Sequence, residues 1–291
     1  MQQGGDTMKK YSIKLSKKDF VFLDNNVNMK GTRPKRVVVD KQNKEAMFKY
    51  EHPDYYCSEA CSEKLSYEIA KTLGYECAKI EFAYDENGNL GVLNYLFLNK
   101  KEIEHMDAVV YLNKNNTSRP IFYTISNIKK CLDELDSNLF NEFLKIMVFD
   151  ALIGEQDRHE ENWGIQKVNG IYKMSPLYDN GCSLLNYFKN ENVAMDYYSG
   201  KKDFEAYITR SQTIVYKENN KNKYKHFELI SYLNNEYHDS IQKELKKLEL
   251  LTDKKINEIV NKIPDELLTK KHMEYIIMYL KKRRDILLNI R

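Results

Sequence analysis

Residues 144–164 read LKIMVFDALIGEQDRHEENWG, an apolar run that ends at a glycine and is followed at once by charged and amide side chains. The apolar part is typical of a helix buried inside a helical lobe. The polar part places an acid, Asp157, ahead of an amide, Asn162. A run of this kind is often only a solvated loop. Its meaning therefore depends on what the chain carries next.

A short hairpin follows the polar loop. The segment GIQKVNGIYKM (164–174) predicts two strands joined by an Asn-Gly turn, and Asp179 comes soon after the second strand. Because the two ends of a short hairpin lie side by side, Asn162 and Asp179 are expected to be close in space. An amide oxygen and a carboxylate are ligands that suit Mg²⁺. Taken alone, Asp179 in front of Asn180 would only cap a turn.

Asp157 completes a recognisable set of groups with these two ligands. Its position just ahead of Asn162 would let it orient a substrate hydroxyl or accept its proton. A loop acid, an amide for the metal and a second acid after a hairpin are the parts needed for phosphoryl transfer from ATP with Mg²⁺. His159 has no second histidine at ligand spacing. It is expected to hydrogen-bond within the loop, near the nucleotide, rather than to bind metal.

The remaining parts of such a site are expected in the first hundred residues. Lys49 stands inside the apolar strand pattern AMFKY, where an unpaired ammonium would be costly. The predicted helix at 58–74 offers three acids as its partner: Glu59, Glu63 and Glu68. The turn MKGTRPK (29–35) precedes this strand and is not a Walker A motif. The backbone amides of Gly31 and Thr32, together with the side chain of Lys35, are expected to face phosphate oxygens.

The order of these patterns predicts an α+β fold with two lobes. Residues 1–100 read mostly as strands, including 11–15, 36–40 and 46–50, with one prominent helix. Residues 101–291 read mostly as helices and carry the polar loop and its hairpin. The lysine- and asparagine-rich segment 217–226 predicts an exposed loop. A helix is predicted to start near Pro264 and to run to the C-terminal basic residues.

Composition narrows the class of protein. The chain has 46 Lys and Arg against 43 Asp and Glu, so its net charge of +3 predicts no direct binding of nucleic acid. No apolar run is long enough to span a membrane, and the N-terminus lacks the apolar core of a signal peptide. We therefore expect a cytoplasmic protein without a membrane partner. The five cysteines, an odd number without a CxxC pair, predict free thiols.

Four segments resemble elements of the HipA-like serine/threonine protein kinases, over about residues 28–185. The segment LIGEQDRHEENWG is similar to the family's Asp-x-His-x-x-Asn catalytic loop, and MSPLYDNGCSLL to its Pro-x-Tyr-Asp metal-binding element. The helix SEKLSYEIAKTLG and the turn MKGTRPK resemble the helix and phosphate loop of its N-terminal lobe. The length of the chain fits a compact, stand-alone member of that family.

The resemblance implies a role for each matched residue. Asp157 would be the catalytic acid/base, Asn162 and Asp179 would bind Mg²⁺, and Lys49, paired with Glu63, would bind the phosphates of ATP. It also implies a protein substrate with a serine or threonine acceptor, autophosphorylation, and an antitoxin partner. Asn28 stands where the family's toxin carries its autophosphorylated serine, and Thr32 is the nearby hydroxyl that could replace it.

Three other functions stay open from the sequence. Phosphatidylinositol-type lipid kinases use a similar loop, and a membrane-facing basic patch such as KKRR (281–284) would favour that function. The same basic run is also what the C-terminus of a helix attracts. A non-catalytic nucleotide-binding component of a toxin or regulator would keep the fold without turnover. Adenylyl transfer would use the same groups on the same fold.

Overall fold

The chain is described by a computed structural model. It describes residues 13–23, 34–51, 59–97, 103–114, 117–186, 188, 190–218, 221–265 and 267–291. Gly31 and Thr32 of the predicted phosphate loop lie outside the described residues, as do Asn28 and Cys57. No helix in the described part of the chain is long and apolar enough to cross a membrane.

A six-stranded sheet forms most of the first lobe. Its strands are β1 (Ile13–Lys14), β2 (Phe20–Leu23), β3 (Lys35–Asp40), β4 (Glu45–Tyr50), β5 (Ile80–Tyr84) and β6 (Leu90–Tyr95). The spatial order is β1-β5-β6-β4-β3-β2, and every pair is antiparallel except β1 with β5. Leu15, Val38, Phe48 and Leu93 are fully buried in the apolar cluster on one face. The predicted strands β3 and β4 are confirmed, whereas β2 was not predicted.

Helix α1 (Glu59–Leu73) packs on the other face of this sheet. The apolar residues predicted to repeat along it, Cys61, Leu65, Ile69 and Leu73, are all buried. Gly74 has a φ of +73°, a left-handed conformation that glycine adopts without strain, and it ends the helix as predicted. The buried stripe fixes the rotation of α1, and with it the acid that the helix turns toward Lys49.

Helices make up most of the second lobe. Their bounds are α2 (Ala108–Leu112), α3 (Arg119–Phe122), α4 (Ile125–Asp133), α5 (Leu139–Ile153), α6 (Glu191–Tyr198), α7 (Phe204–Arg210), α8 (His226–Glu236), α9 (His238–Lys247), α10 (Asp253–Val260) and α11 (Lys270–Leu288), with a 3₁₀ turn at Leu248–Leu250. Helix α5 is buried almost all round, as its sequence predicts. The last helix begins at Lys270 after the cap Thr269, so the predicted start near Pro264 is wrong.

Two small sheets complete the second lobe. The first joins β7 (Ile103–Asp107) to the hairpin of β8 (Gly164–Val168) and β9 (Ile171–Met174), and its turn has positive φ at Asn169 and Gly170. The second is the hairpin of β10 (Gln212–Tyr216) and β11 (Lys223–Lys225). This hairpin corrects the prediction of a plain loop at 217–226. Tyr224 is buried against Tyr232, with ring centroids 5.6 Å apart, which holds β11 in place.

The two lobes are tied together by hydrogen bonds beside the cleft. The backbone N–H of Ala78 donates to the carbonyl of Leu177 at 2.8 Å, and that of Leu177 donates to Glu76 at 2.8 Å. From α1, the hydroxyl of Ser62 donates to the carbonyl of Ser183 at 3.0 Å. The segment that carries Asp179 therefore contacts both lobes. Among the described cysteines, all four are free: Cys61, Cys77, Cys131 and Cys182.

Candidate active site

Lys49 joins the two lobes at the base of the cleft. It lies on β4, and its Nζ is 2.8 Å from Oε1 of Glu63 and 2.9 Å from Oδ1 of Asp179. Burial alone would lower the pKa of Lys49, but the two carboxylates outweigh it and raise that pKa above its ordinary value. The neighbouring strand approaches closely here, because a Cβ on Gly91 would lie 2.1 Å from the carbonyl oxygen of Lys49.

Glu63 is held on both carboxylate oxygens. One oxygen faces Lys49, and the other accepts a hydrogen bond of 2.9 Å from Nδ2 of Asn94 on β6. Glu63 and Asn94 are both buried, so each needs this partner. The structure therefore selects Glu63 among the three candidate acids of α1. Asn94 was missed from the sequence, although an amide inside the apolar run LGVLNYLFL signals a buried hydrogen bond.

Asp179 occupies a strained backbone position. Its φ is +54°, which is uncommon for a residue other than glycine. Arg158 fixes the backbone on both sides, donating from Nη1 to the carbonyl of Tyr178 at 2.7 Å and from Nη2 to the side chain of Asn180. Burial raises the pKa of Asp179, but the ammonium of Lys49 more than offsets this and holds it below the ordinary value. Strain that is held by its surroundings is typical of functional sites.

Arg158 clamps the polar loop that follows α5. The loop begins where Gly154, with a φ of +70°, ends the helix, and a Cβ there would lie 1.8 Å from the hydroxyl of Tyr279. Arg158 is buried and its Nη2 lies 2.9 Å from Oδ1 of Asp150 on α5. Its Nη1 also donates to the carbonyl of Asn162 at 3.0 Å. Its charge is therefore paired with a buried acid inside the second lobe.

Asp157 presents its carboxyl group at the mouth of this loop. Its carbonyl accepts hydrogen bonds from Nδ2 of Asn162 at 2.8 Å and from the backbone N–H of His159 at 2.7 Å. With Nδ2 used in this way, Oδ1 of Asn162 points to the other side of the amide. Partial burial raises the pKa of Asp157; the neighbouring His159 opposes that rise, and Asp179 adds to it.

His159 has the role in the loop that its sequence predicts. Its Nδ1 accepts the backbone N–H of Glu161 at 3.2 Å, which leaves the proton on Nε2. That Nε2 is 3.9 Å from Oδ2 of Asp157. His159 also lines the cleft, so it lies where it could contact a nucleotide.

Glu155 supports the loop from below and was not singled out from the sequence. Its Oε1 accepts the backbone N–H of Asp157 at 2.8 Å, and its carbonyl accepts Nε2–H of His226 at 2.7 Å. Within the described part of the chain, its Oε2 has no hydrogen-bond partner. Burial is the main cause that raises the pKa of Glu155 from 4.5 to about 8; Arg158 opposes this rise.

The cleft between the lobes encloses about 380 Å³, a volume suited to a small ligand. One end is polar and charged, lined by Lys35, Lys49, His159, Asn162 and Asp179. The other end carries the aromatic rings of Phe97 and Tyr178 beside His105 and Asp107, and Met47, Ala78 and Leu96 add apolar lining. Burial and the charge of Lys49 lower the pKa of Lys35. The two lysines are paired in register on the neighbouring strands β3 and β4. A purine nucleotide matches this division, with its base in the aromatic end and its phosphates beside the lysines.

The oxygens at the polar end fit a magnesium ion shared with phosphates. Asp179 uses Oδ1 for Lys49, which leaves Oδ2 for a metal, and Asn162 contributes Oδ1. No group of three His, Cys, Asp or Glu side chains among the described residues is arranged to hold a metal ion. Mg²⁺ in phosphoryl-transfer sites commonly takes only one or two protein ligands, so these two oxygens suffice.

Comparison with known proteins agrees with this geometry. The sequence model of the HipA-like C-terminal domain matches residues 27–269. Serine/threonine-protein kinase CtkA of Helicobacter pylori (strain J99 / ATCC 700824) is 24% identical over 174 residues, which are 57% of this chain and 52% of CtkA. The chain thus spans about half the length of that curated relative in the alignment.

Solved structures show the same fold. The crystal structure of the Helicobacter pylori proinflammatory kinase CtkA superposes with a TM-score of 0.78 at 18% identity, over 96% of both chains. HipA from the Shewanella oneidensis toxin–antitoxin system, solved with HipB and operator DNA, gives 0.56 at 13% identity, over 91% of this chain and 66% of that one. The predicted α+β, two-lobed, kinase-like fold is confirmed.

Proposed function

This chain belongs to the family of HipA-like C-terminal domains, and we propose that it is an ATP- and Mg²⁺-dependent protein kinase that phosphorylates serine or threonine hydroxyls. The observation that carries the proposal is the position of Lys49, within 2.9 Å of both Glu63 and Asp179. A lysine held by a helix acid and beside a metal-binding acid is the arrangement that positions ATP phosphates in protein kinases. The kinase named CtkA, a relative of low identity, supports the same activity.

Different residues of the cleft would bind the phosphates of ATP and the Mg²⁺ ion. Lys49 and Lys35 would neutralise phosphate oxygens, and Oδ1 of Asn162 and Oδ2 of Asp179 would hold Mg²⁺. When bound, Mg²⁺ supplies positive charge that neutralises the oxygens of the transferring phosphoryl group. The rigid hold of Arg158 on the Asn162 carbonyl and on the flanks of Asp179 keeps the two ligand oxygens in a fixed relation.

Asp157 would act on the acceptor hydroxyl. The hydroxyl oxygen attacks the γ-phosphorus of ATP, the bond from that phosphorus to the β–γ bridging oxygen breaks, and ADP leaves. The proton of the hydroxyl passes to the carboxylate of Asp157. The half-exposed side chain of Asp157, at 50% of its full accessibility, can be reached by a protein substrate. Its raised pKa makes it a better proton acceptor than an ordinary aspartate.

The family also bears on partners. The Shewanella HipA was solved together with HipB in a toxin–antitoxin system. We include in the proposal a cytoplasmic location, an antitoxin-like protein partner and autophosphorylation, with Thr32 as the candidate acceptor. Mapping the phosphorylated residue by peptide mass spectrometry tests that last assignment directly.

The experiment for the kinase proposal is intact-protein mass spectrometry after incubation with ATP, Mg²⁺ and a generic serine- and threonine-containing protein. The wild type is compared with Asp157→Asn and with the surface control Asp133→Asn on α4. A phosphoryl increment in the wild type and the control, but not in Asp157→Asn, is expected. An adenylyl increment would keep the site and change the reaction. Absence of any increment, with ATP still bound, would overturn the proposal in favour of a non-catalytic nucleotide-binding protein.

The basic run 281–284, which would favour a lipid kinase if it faced a membrane, does not form a free basic patch. Arg283 of the basic run 281–284 is completely buried and donates to the carbonyls of Ala151 at 2.8 Å and Ile208 at 2.7 Å. Arg284 donates to the carbonyl of Leu251 at 2.7 Å. Half of the run therefore holds the second lobe together and cannot face a membrane.

A further inference from the structure

The β10–β11 hairpin is attached directly to the catalytic loop. At its base, the hydroxyl of Ser211 and Nδ1 of His226 lie 3.0 Å apart, and Nε2 of that histidine donates to Glu155 at 2.7 Å. At its far end, the backbone N–H of Tyr216 donates to the carbonyl of Tyr123 at 2.9 Å. The hydroxyl of Tyr123 in turn donates to the carbonyl of Arg158. The hairpin is therefore fixed at both ends to the frame that holds Asp157.

The outer surface of this hairpin is basic. We call Lys217, Lys221, Lys223 and Lys225 the basic ridge; with Gln212, Asn222 and Glu228 they line a shallow open groove. Because side chains alternate along a strand, burial of Tyr224 turns its two neighbours outward. Lys221, Lys223 and Lys225 form no ion pair within the part of the chain that the structure describes.

The acids beside the basic ridge are already engaged in capping helices. Glu218 accepts the backbone N–H of Ser126 at 3.0 Å, at the start of α4. Glu228 accepts the backbone N–H of Lys225 at 3.3 Å, at the start of α8, and also binds Nζ of Lys217. These acids neutralise part of the ridge, chiefly Lys217, and leave the other three lysines for a partner.

Arg119, on α3, reaches the catalytic loop from the side of the hairpin. Its Nη2 and Nε lie 3.0 Å and 3.3 Å from Oε1 of Glu160, within the catalytic loop. Helix α3 packs on β10, the strand that ends at Tyr216. The ammonium of Lys223 in turn lies 5.7 Å from the ring of Tyr216.

We propose that the basic ridge docks an acidic segment of the protein substrate next to its acceptor hydroxyl. This inference rests on the proposed kinase function and names the class of substrate. Lysines on flexible stems bind carboxylates without strict geometry, so a segment with several Asp or Glu residues fits better than one defined acid. Docking of this kind raises the local concentration of the hydroxyl at Asp157.

A nucleic acid is a poorer match for this surface. Proteins that bind single strands combine basic grooves with exposed aromatic rings on which bases stack. The aromatic residue at the centre of β11, Tyr224, is only 8% exposed.

The test compares peptides of equal length that carry one serine flanked by glutamate, by glutamine or by lysine. The enzymes are the wild type, Lys221→Glu/Lys223→Glu, and the matched control Lys270→Glu/Lys271→Glu. The control places the same charge change in the first turn of α11, where acids suit the helix dipole. Wild type and control should prefer the glutamate peptide. The ridge variant should raise KM for that peptide about tenfold, with unchanged kcat and unchanged activity on the glutamine peptide.

Two further measurements, the dependence on ionic strength and direct peptide binding, show whether the docking proposal or the kinase proposal has failed. The preference for the glutamate peptide should weaken at high ionic strength, because exposed charges are screened. Equal KM values for the three peptides in an active wild-type enzyme would overturn the docking and leave the kinase function standing. If no peptide is phosphorylated, fluorescence anisotropy decides: binding of the glutamate peptide lost only in the ridge variant supports the docking. Tighter binding of a single-stranded oligonucleotide than of that peptide would overturn it.

Discussion

Asp157 is expected to matter for turnover and not for the stability of the fold. Its carboxyl group is half exposed, and the loop around it is held by backbone groups and by its neighbours. We expect Asp157→Asn to lower kcat by about a thousandfold, because it removes the proton acceptor and keeps the shape. The melting temperature should change by less than a few degrees. Steady-state kinetics and differential scanning calorimetry measure both; a variant with full kcat would exclude this acid from catalysis.

Lys49 is expected to matter both for turnover and for the stability of the fold. Lys49→Met would leave the carboxylate of Glu63 buried and without its cation, which costs on the order of 3–5 kcal/mol in folded proteins. We expect this variant to lose phosphoryl transfer and to unfold at markedly lower denaturant concentration. The double variant Lys49→Met/Glu63→Gln should regain a large part of the stability and none of the activity. Urea denaturation of the four proteins of this cycle measures the coupling; additive effects would contradict a direct pair.

Arg158 anchors the whole loop from Gly154 to Trp163. One guanidinium reaches Asp150, two carbonyls and the side chain of Asn180, which a single ammonium cannot do. We expect Arg158→Lys to lower the free energy of unfolding by several kcal/mol and to lower kcat at least tenfold. The KM for ATP should rise as well, because both Mg²⁺ ligands lose their support. An unchanged KM would show that the two ligand segments hold themselves in place.

Glu155, in the same loop, should make the stability of the protein depend on pH. Its pKa of about 8 in the folded protein lies above its ordinary value of 4.5, so the folded state binds the proton more tightly. The stabilisation is therefore complete below about pH 4.5 and is lost as pH rises through about 8. At about 1.4 kcal/mol per pKa unit, the effect is on the order of a few kcal/mol.

Glu155→Gln tests this assignment, because glutamine keeps an oxygen for the N–H of Asp157 and cannot ionise. The difference in unfolding free energy between variant and wild type should move in favour of the variant between pH 6 and 9. Urea denaturation across that range is the measurement. A difference that does not change with pH would show that Glu155 is already ionised, or that it ionises equally in the unfolded chain.

The helices and strands explain which parts of the fold were predictable. Helix α1 and the β8–β9 hairpin were predicted because each has a local signature: apolar residues four apart in one, an Asn-Gly turn in the other. Strand β2 was missed because it is short and at the sheet edge, with Val21 63% exposed. The β10–β11 hairpin was missed because its lysines and asparagines resemble a loop. Its support comes from Tyr232 on the next helix and from the chain near Tyr123, which is distant in sequence.

The residues of the candidate site also fall into those that local sequence predicts and those that depend on tertiary contacts. Asp157, Asn162 and Asp179 could be proposed from spacing, because they lie within one loop and hairpin. The partner of Lys49 could be narrowed to three acids, and only the rotation of α1 in the packed lobe selects Glu63. Glu155 and the acid that binds Arg158 escaped because each depends on contacts or burial that no local pattern encodes. For Asn94 the apolar run signals burial, but the partner, Glu63, lies on another element.

At the scale of the whole molecule, nucleotide binding should stabilise both lobes together. A ligand at a hundred times its Kd adds about 2.7 kcal/mol to the free energy of unfolding. We expect ATP with Mg²⁺ to raise the melting temperature in one cooperative transition, more than ATP with EDTA does. Asp179→Asn should abolish the extra shift due to Mg²⁺. Differential scanning fluorimetry is sufficient; an equal shift with and without Mg²⁺ in the wild type would place the metal elsewhere.

The bonds that join α1 to the second lobe have a pharmacological consequence. Some inhibitors bind kinases by pushing a regulatory helix outward and filling the space that it vacates. Here such a compound would have to separate Glu63 from Lys49 and also break the bond from Ser62 to Ser183. The work of opening that space would be subtracted from its affinity. Compounds that fill the nucleotide cleft as it stands, with an aromatic group beside Phe97 and Tyr178, would avoid this loss and are the better starting point for inhibitors.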